Sequence, residues 1–168
     1  MRAIRVWLLI FMVGLAISGV TAFPLVSETA LLAHGVHSVP APDALVAWID
    51  RVHRGLVETG KTYPFIAYGT DWLAFAHLVI AIAFVGPWHD PVRNIWVIEW
   101  GMICCVAIIP LALIAGPVRH LPFWWELIDM SFGVFGIIPL LVVYRMIRRL
   151  EANRTATEKP LPVPSIAG

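Results

Sequence analysis

The sequence predicts an all-α integral membrane protein, a four-helix bundle with an amphipathic interfacial helix between its first two spans. Three observations predict it. Of 168 residues, 60% are hydrophobic and only 14% charged, where a water-soluble domain carries about a quarter charged residues. Charge is absent or scarce in four apolar stretches, and a helix needs about 20 such residues to cross the hydrocarbon. Most of the eight tryptophans fall near the ends of these stretches, where amphipathic rings prefer to sit. The same composition excludes a disordered chain and a typical soluble enzyme. With a net charge of +1 it also excludes a nucleic-acid binder, which needs a basic face.

The first span is expected over about 4–25, since residues 6–27 hold no charge. Arg2 and Arg5, an apolar run and then Val20-Thr21-Ala22 also fit a secretory signal cleaved after Ala22. An uncleaved first span and a cleaved signal both stay open at this point. The second span, 71–86, closes on Gly86-Pro87 and is short. From Thr70 as N-cap it reaches only about 24 Å at 1.5 Å per residue. Either Pro64–Gly69 continues the helix backwards or the bilayer is locally thin. The third span, 94–115, carries one carboxylate, Glu99, and the fourth, 123–145, carries Glu126 and Asp129 near its start. Pro110 and Pro139 should kink these two helices.

Segment 26–70 is the one sizeable region between spans. Leu45, Trp48, Ile49, Val52 and Leu56 follow i, i+3, i+4, i+7, i+11, an amphipathic helix over about 43–59. Asp50, Arg54 and Glu58 form an i, i+4 ladder on its other face; Pro40 and Pro42 precede it and Gly60 is expected to end it. A shorter helix is expected from Ser27 to Ala33, broken near Gly35. Residues 151–168 turn polar and Pro-rich and read as a disordered cytoplasmic tail.

Basic residues set the orientation. With the N-terminus in the cytoplasm, Arg2, Arg5, Arg93, Arg145, Arg148, Arg149, Arg154 and Lys159 lie inside, against Arg51, Arg54, Lys61 and Arg119 outside. Both termini are therefore expected in the cytoplasm, in an inner membrane, with 26–70 outside. The bilayer is the expected partner, together with other membrane proteins or further copies of the chain, and no nucleic acid.

Ionisable residues inside spans are costly and turn to the protein interior. His77 shares a face with Ala74 and Ala81, and Asp129 shares one with Gly133 and Gly136, small residues that permit close helix approach. His77 and Asp129 are therefore expected to meet in an outward-facing polar pocket with Asp71 and Glu126. These four are the candidate catalytic or binding residues. The competing reading is structural: Asp71, Glu126 and Asp129 open helices, where carboxylates complement the dipole, and a buried His–Asp bond sets register. Glu99, beside Trp96 and Trp100, is expected to form a structural ion pair with Arg93 or Arg145. Gly101, Cys105 and Ala112 make a second small-residue seam.

His34 and His37, at i and i+3, are the metal candidates by spacing. Gly35 between them and the lack of HExxH or cysteine ligands argue against a metal, so neither metal nor cofactor is expected. Cys104 and Cys105 are adjacent and read as packing residues. Walker, dinucleotide GxGxxG, GxSxG and CxxC motifs are missing, which leaves nucleotide, nicotinamide and serine chemistry without support. Four spans, intramembrane carboxylates and kinking prolines resemble the plan of the EXPERA-type sterol isomerases, in architecture and carboxylate-plus-proline placement. The expected function is a non-catalytic accessory or ligand-binding membrane protein. The alternative is a membrane enzyme with isomerase-like acid/base chemistry on an apolar substrate, or a proton-coupled carrier.

Overall fold

The computed structural model describes residues 1–157, with side chains through Asn153. Among them the chain is all-α, with no strand. Seven helices follow in order: α1 Arg2–Ala22, α2 Leu25–Ser38, α3 Asp43–Thr62, α4 Ala67–Ala83, α5 Val85–His89, α6 Ile95–Val118 and α7 Phe123–Thr157. Four stretches are long and apolar enough to cross a membrane: Arg2–Ala22, Pro64–His89, Ile95–Val118 and Phe123–Asn153. These correspond to the four spans expected from the sequence, with shifted ends.

The second span shifts most. A 3-10 turn over Pro64–Ile66 leads directly into α4, so the helix does run backwards through Gly69. Proline suits the first position of a helix because its missing N–H would be unpaired there anyway. Thr70 is therefore inside the helix, its hydroxyl donating to the Ala67 carbonyl at 2.6 Å, and does not cap it. Asp71 correspondingly leaves the first turn, which contains no acidic residue. At the other end Phe84 keeps a helical backbone between α4 and α5, and together they span 26 residues with the 3-10 turn. That is about 39 Å at 1.5 Å per residue, ample for a bilayer.

Between α1 and α4 the breakers act differently from expectation. Gly35 lies within α2 and Gly60 within α3. An isolated glycine costs a helix about 1 kcal/mol, which tertiary packing offsets. That packing is between α2 and α3, antiparallel neighbours. Ile49 of the amphipathic stripe is buried, and Leu45, Trp48, Val52 and Leu56 are half-buried. Asp50 pairs with His37 across the hairpin and not with Arg54 along the ladder. The stretch expected as tail is helical in its first part. Residues 151–157 continue α7, and 158–168 lie outside the described residues. Pro110 and Pro139 both sit inside continuous helices.

The chain forms two compact units. One comprises Met1–Phe11 with the described residues from Phe84 onward, the other Met12–Ala83. The first has a core of Ile4, Leu8, Phe84, Ile98, Leu140, Val143 and Ile147, all at 1% exposure or less. Here α6 and α7 run antiparallel along the small-residue seams. A methyl on Gly133 would collide with the Cys105 carbonyl, and one on Gly101 would lie 2.7 Å from the Phe84 ring. Large apolar side chains point the other way: Ile114 and Phe135 are each 69% exposed. Small residues inward and large ones outward is the arrangement of helices solvated by lipid, where close backbone packing replaces the hydrophobic effect.

In the second unit Gly19 of α1 meets α4. A methyl there would lie 2.8 Å from the Ala74 carbonyl oxygen and 3.1 Å from the His77 Cβ. Ala74 is fully buried and Ala81 is 7% exposed.

Candidate functional site

The candidates fall into separate local settings. Asp71 and His77 both stand on α4, in one compact unit, while Glu126 and Asp129 stand on α7, in the other. Six helical residues at 100° each leave Asp71 and His77 about 120° apart around α4, so they do not share a face. Asp71 is half-buried, with no hydrogen bond or ion pair among the described residues.

His77 is half-buried, on the face that Ala74 and Ala81 turn to Gly19. Its Nδ1–H donates to the Leu73 carbonyl at 2.8 Å, one turn back. A carbonyl can only accept, so this bond puts the proton of the neutral ring on Nδ1 and leaves the Nε2 lone pair free.

Glu126 and Asp129 open α7, which follows α6 after a tight turn. The last turn of α6 ends in a Schellman motif: Leu121 N–H bonds the Gly116 carbonyl at 2.9 Å and His120 N–H bonds that of Pro117 at 3.1 Å. His120 takes the left-handed position of that motif, at φ 57°, where glycine is usual. Pro122 then starts the next helix, its carbonyl accepting from Trp125 and Glu126. This geometry folds the Glu126 side chain back onto Gly116. A methyl at Gly116 would overlap its carboxyl group, so the side chain can lie here because residue 116 has no Cβ and would otherwise have to swing aside.

The Glu126 residue is 3% exposed, and no hydrogen bond or ion pair reaches its carboxyl among the described residues. Asp129, one turn on, is half-buried. The glycines on its face, Gly133 and Gly136, lie against Cys105, the latter within 3.2 Å of Sγ for an added methyl. Continuing the Cys105 register by two and three turns brings Ala112 and Gly116 of α6 beside the first turns of α7. The two seams read separately from the sequence thus meet each other, and Gly116 extends them by i+4 from Ala112. That spacing was the signal in the sequence for the missed residue.

Glu99 forms the expected ion pair, with a different arginine. Arg148 Nη2 lies 3.2 Å from Glu99 Oε1, Arg148 Nη1 lies 3.0 Å from Glu151, and the Arg148 guanidinium stacks 5.1 Å above the Tyr144 ring. Neither Arg93 nor Arg145 reaches Glu99. Arg145 stands opposite the buried face of α7, whereas Arg148 lies 60° closer to α6.

His34 and His37 do share a helix, because Gly35 does not break it. The His37 ring, however, is taken up by Asp50, with Nε2 3.2 Å from each carboxylate oxygen. Another histidine also joins the two helices: His53 Nδ1 lies 3.1 Å from the Thr29 hydroxyl, which bonds back to the Leu25 carbonyl at 2.9 Å. These pairs staple α2 to α3. No group of three or more His, Cys, Asp or Glu side chains that could hold a metal ion occurs among the described residues.

Comparison of the chain with protein-family models, with curated proteins and with solved structures finds no match.

Proposed function

We propose that this is a multi-pass protein of a cytoplasmic membrane, with both termini inside, that binds a ligand or a membrane partner at a polar site around Glu126 and Asp129 and does not itself catalyse a reaction. The observation that carries this reading is the state of Glu126: a residue only 3% exposed whose carboxyl lies against Gly116 with no hydrogen bond or ion pair among the described residues. The structural reading accounts for other polar groups in the spans. Glu99 has Arg148, and His77 has the Leu73 carbonyl. It does not account for Glu126. A carboxylate that served only the helix dipole would do so from the surface, whereas this one is drawn in against Gly116 without a partner. A site that receives a hydrogen-bond donor or a cation gains that partner when occupied.

The test is Glu126→Gln, which keeps the shape and removes the charge. The purified variant is expected to melt at or above the wild-type temperature in detergent, since the exchange keeps the shape and breaks no hydrogen bond or ion pair among the described residues. The same variant is expected to fail to complement a deletion of its gene. A variant that is destabilised yet complements fully would make Glu126 a packing residue and refute the reading.

A second reading, acid/base chemistry or proton-coupled transport, draws support from His77. Its Nε2 lone pair, held in place by the Nδ1–H bond to Leu73, is suited to accepting a proton. His77→Gln should then abolish proton uptake by proteoliposomes while leaving thermal stability within about 1 kcal/mol of wild type. Unchanged uptake removes this alternative.

A further inference from the structure

The arginines at the Tyr144–Glu151 end of α7 are not alike. Arg148 is held by Glu99, Glu151 and Tyr144. Arg145 and Arg149 are exposed and have no partner among the described residues. Leu140, Val143 and Ile147 line the buried face of this part of the helix at 0% exposure. At 100° per residue Arg145 points almost directly away from them, with Arg149 one turn on and on the same side. The level along the helix is marked independently. Glu99 meets Arg148, so the first turns of α6, with Trp96 63% and Trp100 38% exposed, lie beside these arginines. Exposed tryptophans at the end of a span mark the headgroup layer. Two unpaired guanidiniums on the lipid-facing side of a helix at that depth face phosphates, not protein.

We propose that Arg145 and Arg149 form a binding site for the phosphate headgroup of an anionic phospholipid. The guanidinium fork bonds phosphate oxygens in pairs, and two forks at i and i+4 stand about 5–6 Å apart at their Cβ atoms, close enough to share one headgroup. The charge favours an anionic over a zwitterionic lipid. The site is separate from the Glu126 region and does not depend on which leaflet it occupies.

The experiment titrates the full-length, detergent-solubilised protein with phosphatidylglycerol, phosphatidylcholine or inorganic phosphate, following binding by native mass spectrometry and the melting temperature. Phosphatidylglycerol should bind and raise the melting temperature, and phosphatidylcholine and free phosphate should not. The variant Arg145→Gln/Arg149→Gln should bind phosphatidylglycerol about thirtyfold more weakly, as expected for two basic residues at a membrane surface. The control Arg2→Gln/Arg93→Gln should change binding less than threefold. Both variants should melt without lipid as wild type does, since the exchanged side chains hold no partner among the described residues. Equal loss in both variants would reduce the effect to overall charge and overturn the proposal. So would unchanged binding by the first variant, or free phosphate acting as well as the lipid.

Discussion

Gly116 carries the burial of Glu126, so it is the sharpest single-residue probe of the α6–α7 end. A methyl at this position overlaps the carboxyl. Gly116→Ala should therefore cost about 1–3 kcal/mol, as overpacking does. Adding Glu126→Ala should recover most of that loss, a coupling that a double-mutant cycle of thermal unfolding measures directly. Strictly additive losses would separate the two residues. His120 offers the opposite sign. Its left-handed backbone at φ 57° costs an L side chain about 1 kcal/mol relative to glycine. His120→Gly should raise stability by roughly that amount, and a drop would show that the imidazole makes up for its backbone. Residue chemistry of this kind was only half legible beforehand. That Glu126 and Asp129 stand near the start of a span could be read from the letters. That Glu126 folds back onto a glycine ten positions earlier depends on a turn whose left-handed residue is a histidine, which no glycine in the sequence announces.

At the scale of elements, the seam between α6 and α7 makes two glycines respond differently to the same change. Gly133→Ala drives a methyl into the Cys105 carbonyl and should cost about 1–3 kcal/mol. Gly14→Ala on α1 meets nothing within 4 Å and should be neutral or stabilising by up to about 1 kcal/mol, through helix propensity alone. If both substitutions behave alike in unfolding experiments, the seam is not where α6 and α7 pack. The α2–α3 hairpin allows a similar contrast. Thr29, 7% exposed, accepts from His53, whereas the His37–Asp50 pair stands largely in the open. Thr29→Val should therefore cost more, about 1–3 kcal/mol, than Asp50→Asn, at or below about 1 kcal/mol. The stripe on α3 was legible because hydrophobic periodicity survives any choice of partner. The partner was not, since an amphipathic face fits a lipid surface as well as it fits α2, and the interhelical pairs that choose between them join residues 13 and 24 positions apart.

At the scale of the whole molecule, topology is the property most open to direct test. With Cys104 and Cys105 replaced by serine, a cysteine at Glu58 should react with a membrane-impermeant maleimide on intact cells. One at Ala152 should react only after the membrane is opened. The reverse pattern would invert the proposed orientation. Four runs of low charge, their lengths and the basic residues flanking them can be counted in the letters alone, because crossing hydrocarbon demands long stretches with every backbone group paired internally. The all-α class and the four spans were accordingly determined by sequence, as was the pairing of Glu99 with an arginine. Which arginine, which glycine lies beneath Glu126 and which helix covers α3 were decided by tertiary structure. Those choices depend on the rotation and register of one helix against another, set by packing between residues far apart in the chain, and a local hydrophobic pattern contains neither.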